Sequence, residues 1–134
     1  MPSLPSAFKR IRLELARTKE HPAGSPLHGY EFVAPLGSDH KIDVALWKAH
    51  RDQCRVRRFW GREEEIGHLR HRPGGKAGAT WSFHYDIVDS DDDPDDDEAG
   101  YRFGEHPFVP GEYVSVRDED GDMHTFQVIS VEPV

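Results

Sequence analysis

Hydrophobic and polar residues alternate along most of this chain with a period of two, the signature of strands that bury one face and wet the other. The clearest case runs from Glu65 to Asp86. Trp81, Phe83, Tyr85 and Ile87 alternate with Thr80, Ser82, His84 and Asp86. The run from Ile66 to Arg72 precedes them, joined through the turn-rich connector Pro73-Gly-Gly-Lys-Ala-Gly78, so the segment reads as a β-hairpin. Register decides what this hairpin presents. With Leu69 on the aromatic face, opposite Phe83 or Trp81, the side chains of His68, Arg70, Ser82, His84 and Asp86 project from the reverse. A slip of one residue would place His68 and Arg70 among the aromatics, and the first pairing is the one expected.

The same alternation predicts further strands. From Phe8 to Arg17 it puts Ile11, Leu13 and Leu15 on one face and Arg10, Arg12 and Glu14 on the other. Leu, Glu, Ala and Arg favour helix, but a helix would scatter those apolar residues around its axis. After a loop over His21-Pro-Ala-Gly-Ser-Pro26, Gly29 to Ala34 forms a second strand with Tyr30 and Phe32 together and Val33 opposed. One short helix is expected over about 41–53, capped by Ser38 or Asp39, with Asp43 in its first turn and Ile42, Leu46 and Ala49 or His50 as its apolar stripe. Cys54 to Trp60 returns to a β pattern that Gly61 ends. Tyr101 and Phe103 make a short strand, and Pro110-Gly111 a type II turn. Glu112–Arg117 and Met123–Val131 then pair around a loop at Glu119-Asp120-Gly121, with Val114 facing Phe126 and Val116 facing His124. Seven or eight short strands and one helix predict a mainly β chain: a small antiparallel β-barrel or a strongly bent sheet.

Size and composition keep this to one domain over 1–134, with a loose N-terminus over 1–6. Eight of the ten residues from Asp89 to Glu98 are acidic, so a mobile acidic loop is expected over about 89–99. No apolar stretch reaches the ~20 residues of a membrane helix and Met-Pro-Ser-Leu-Pro-Ser is no signal region, so a soluble, cytoplasmic protein without a membrane partner is expected. The single cysteine, Cys54, excludes an internal disulfide. Charge is unevenly spread. Lys and Arg number six against five Asp and Glu in residues 1–47, nine against four in 48–85, and two against sixteen in 86–134. The middle of the chain is basic and its last third strongly acidic.

These features favour a binding module over an enzyme. No nucleophile elbow, phosphate-cradling glycine loop or dinucleotide fingerprint is present, and Cys54 beside Arg55 is weighed as a buried small residue against an activated thiol. The leading expectation is a protein partner or a small anionic ligand held by the basic, histidine-bearing face of the sheet. Arg57, Arg58, Arg70, His68 and His84 supply the contacts, with Trp60 or Trp81 as anchors at the edge. Nine histidines also raise a metal-dependent enzyme or metal-binding protein as the alternative. There a divalent transition metal would be bound by His68 and His84 with Asp86, His106, His71 or Glu105 as third ligand, although no closely spaced ligand motif occurs. A third reading, single-stranded nucleic acid on the arginine- and aromatic-rich stretch His50–Arg62, is opposed by the net charge of −8. The acidic run lacks the glycine and glutamate positions of an EF-hand loop. An exposed sheet edge would offer a route to oligomers.

Overall fold

The computed structural model describes residues 6–72, 80–85, 98–101, 106–117 and 122–134. Eight strands follow one another: β1 (Phe8–Leu15), β2 (Ser25–Pro35), β3 (Arg55–Trp60), β4 (Glu63–Arg72), β5 (Thr80–Tyr85), β6 (Glu98–Tyr101), β7 (Tyr113–Arg117) and β8 (Met123–Pro133). Each pairs antiparallel with the next, and β8 returns to pair with β1, so the sheet closes into an up-and-down barrel. Closure pairs the two end strands of the order, β1 and β8, with each other.

Alternation along each strand sorts the side chains. Ile11 and Leu13 of β1, Tyr30, Phe32 and Ala34 of β2, Leu69 of β4, Trp81 and Phe83 of β5, Val114 and Val116 of β7 and Phe126 and Val128 of β8 are all buried. Tyr30 lies 4.8 Å from Phe83 and 5.1 Å from Phe126 between ring centroids, and Phe32 lies 5.3 Å from Phe83. Among the described residues these rings pack against one another inside the barrel, each contributing about 1.5–3 kcal/mol by leaving water. Both hairpin registers agree with the pattern of the sequence. Leu69 pairs with Phe83 and His68 with His84, and Val114 pairs with Phe126 and Val116 with His124. Gly111 takes φ 97°, the left-handed conformation that the expected turn demands of it.

The helix is shorter than expected. Ile42 bridges to Leu36 instead of starting the helix, and Asp43 is the N-cap, its carboxylate accepting from the Leu46 N–H at 3.1 Å. Ser38 and Asp39 lie in the preceding turn. α1 spans only Val44–Ala49, and a 3-10 turn over Arg51–Gln53 follows it. With its start moved, Trp47 becomes the buried residue of the helix. The expected acidic loop also ends early, since Glu98 and Ala99 pair with Phe83 and Ser82 as part of β6. The expectations for residues 1–5, for the run 89–97, for Phe103 and for the 119–121 loop lie outside the described residues.

Candidate functional site

β3 and β4 pair only as far as Arg55 and His68, because beyond Arg55 the chain has come from α1 and the 3-10 turn. Leu69 is the first residue of β4 past this point. Its N–H donates to the Cys54 carbonyl at 2.8 Å, and its carbonyl accepts from the Trp47 indole Nε1–H at 3.0 Å. The indole thus supplies a donor where β3 has none left, and it holds α1 against the end of the barrel. Trp81 meets Trp47 edge-on at 5.4 Å and stacks at a tilt on His71 at 4.4 Å. Burial pulls the His71 imidazole below its ordinary pKa, which favours the neutral ring.

Between this seam and the outer face of β4 and β5 lies a cleft of about 290 Å³, lined by Trp47, Arg51, Asp52, His68, Leu69, Arg70, His71 and His84. His68 and His84 are direct cross-strand partners, Arg70 faces Ser82, and Arg55 approaches His68 Nε2 at 3.4 Å. Two arginines and three histidines face one carboxylate, Asp52, with the indole behind them. Such a surface offers planar guanidinium donors and imidazole nitrogens to a carboxylate or phosphate.

Of the residues chosen from the sequence, His68, His84 and Arg70 come together here, and Trp81 supports the wall. Arg57, Arg58 and Trp60 do not join them. Arg57 and Arg58 are neighbours on one strand and point to opposite sides of the sheet. Arg57 faces outward, bonded to Glu64 at 2.9 Å and 3.6 Å from Glu31. Together with Arg12 it covers Phe59, the two guanidiniums lying 5.0 and 4.5 Å from the ring centre. Phe59 is buried on the outside of the barrel in this way, opposite Gly29.

Arg58 turns inward, opposite Tyr30, and its guanidinium lies 4.6 Å from the Trp60 ring. It belongs to the end of the barrel remote from the helix, where Trp60 also meets His28 at 4.7 Å and His124 at 5.8 Å. His28 bonds Ser25 Oγ through Nδ1 at 2.6 Å. Burial first, then the charges of His21 and Arg58, depress its pKa.

Arg51 and Trp47 are the site residues that sequence reasoning missed. Arg51 stood in the basic stretch, but only the 3-10 turn carries it back over β4. For the metal alternative, among the described residues no group of three His, Cys, Asp or Glu side chains could hold an ion. His106 is not in the cleft lining, and Asp86 lies outside the described residues. Cys54 is fully buried and its thiol is pushed up to about 12 by desolvation, the opposite of activation by Arg55. Among the described residues no helix is long and apolar enough to cross a membrane. Comparison with known protein families, with curated proteins and with solved structures finds no match to this chain.

Proposed function

We propose that the chain is a binding module that holds an anionic group, a carboxylate or a phosphate, in the cleft between the 3-10 turn and the outer face of β4 and β5. The observation that carries this reading is the convergence of Arg51 and Arg70 with His68 and His84 around one hollow that holds a single carboxylate, Asp52. Arg51 and Arg70 approach from different elements, so an anion between them is gripped from two sides. His68 and His84 add imidazole nitrogens as hydrogen-bonding groups at its rim. A cleft of this size takes a small ligand or the side chain of a partner.

Titration of the ¹⁵N-labelled protein with inorganic phosphate and with pyrophosphate tests this. Shift changes centred on Arg51, His68, Arg70 and His84 are expected, and Arg70→Ala should weaken binding about tenfold or more. Arg57→Ala should leave anion binding intact, because its guanidinium is committed to Glu31, Glu64 and Phe59. Saturable shifts elsewhere, or none, would remove the cleft from consideration.

A further inference from the structure

Next to the cleft, on the same outer surface, lies a second hollow of about 190 Å³ whose lining includes Arg10, Val33, Arg55, Arg57, Ile66 and one carboxylate, Glu31. The 3.4 Å contact between Arg55 and His68 joins the two hollows. Register explains why they align. Arg10 pairs with Val33 between β1 and β2, Arg55 with His68 between β3 and β4, and His68 with His84 between β4 and β5. With Val33 and Arg55 lining one hollow, a band of outward positions on β1 to β5 carries Arg10, Arg55, His68 and His84, bordered by Glu31. Of the acidic residues on this surface, Glu14, Glu31 and Glu64 are bonded to Arg12 and Arg57, and Glu132 pairs with Arg10 from β8. Val33 and the exposed Ile66 add apolar spots beside the band.

We infer that this band is the docking track for an extended acidic segment of a partner protein, of which one carboxylate occupies the cleft. The inference rests on the cleft reading and names its partner class. Four inter-strand steps of ~4.8 Å make a track of roughly 19 Å, the length of about six residues of extended chain at ~3.3 Å each. Cations at the strand spacing match carboxylates along such a segment, and Val33 and Ile66 take its apolar side chains. Charge complementarity would suit a single-stranded nucleic acid too, but bases need exposed rings to stack on. Among the described residues, Phe59 on this outer surface lies beneath Arg12 and Arg57, and Trp47 and Trp81 are buried. The net charge of −8 further disfavours a long polyanion.

Fluorescence anisotropy with a labelled eight-residue peptide alternating glutamate and valine tests the track, with phosphate titration of the same proteins as the readout for the cleft. Arg10→Glu and Ile66→Asp alter exposed positions outside the cleft. Each should weaken the peptide at least roughly fivefold while phosphate affinity stays unchanged. Unchanged peptide affinity in both variants would overturn the track and leave the cleft standing. Absence of phosphate binding by the wild-type chain, with peptide binding that still responds to Arg10→Glu, would overturn the cleft alone. An oligothymidylate of equal charge that binds as tightly as the peptide would overturn the assignment to a protein segment.

Discussion

Replacing Trp47 with phenylalanine keeps a ring in contact with Trp81 and removes the indole N–H that meets the Leu69 carbonyl at 3.0 Å. The carbonyl belongs to a residue only 1% exposed, and water cannot replace the lost donor without opening the seam. Leaving a buried acceptor without its donor costs about 1–3 kcal/mol. The smaller ring forfeits about 1 kcal/mol more in buried area and packing. A total of about 2–4 kcal/mol is therefore expected. For a chain of 134 residues this corresponds to a fall in Tm of roughly 6–20 °C. Urea unfolding followed by far-ultraviolet circular dichroism measures the loss, and phosphate titration of the same variant reports the seat of Arg51, which should loosen. A variant within about 0.5 kcal/mol of the wild type would show that the indole bond does not secure the helix, and the account of the seam would fail.

Gly29→Ala should cost at least about 4 kcal/mol or abolish soluble expression, since a Cβ there would lie 1.9 Å from the Leu13 carbonyl oxygen and 3.0 Å from the Phe59 ring; thermal denaturation decides it. Cys54 should resist an aromatic disulfide reagent at pH 8 in the folded protein and react at once in urea, given its burial and a pKa pushed up to about 12. His28 and His71 are held below their ordinary value of 6.5, so the unfolded chain binds protons more readily than the folded one. Their contribution to stability is complete above about pH 6.5 and is lost as the pH falls toward their depressed values. Urea midpoints from pH 7.5 to pH 5 should fall in the wild type and fall less in a His28→Gln, His71→Gln double variant.

How much of this was legible in the sequence depended on whether a residue's surroundings are local. Leu69 opposite Phe83 and Val114 opposite Phe126 followed from alternation alone, because a shift of one residue would have turned each strand's apolar set into water. The same rule already forbade Arg57 and Arg58 from sharing a face. Phe59 is a harder case, because its neighbour Trp60 packs against the core. An aromatic next to an inward-facing one on a strand must face outward, and this one stays dry because Arg12, distant in sequence, folds over it alongside Arg57. The helix start was displaced by Leu36, whose bridge to Ile42 depends on how tightly the chain turns after β2. Arg51 entered the site through the 3-10 turn over Arg51–Gln53, and no periodicity in the stretch His50–Arg62 marks it.

Lys9 lies across from Pro133, so the joint that completes the barrel connects residues almost the whole length of the chain apart. Every other strand pair is between neighbours in sequence and can zip as it emerges, whereas this one must await the final segment. Loop-closure entropy rises only slowly with length, but contacts of such long range delay the rate-limiting step of folding. Until Met123–Pro133 has been synthesised, β1 carries an unsatisfied ladder of backbone groups. During that interval a growing chain is most exposed to mispairing with its neighbours.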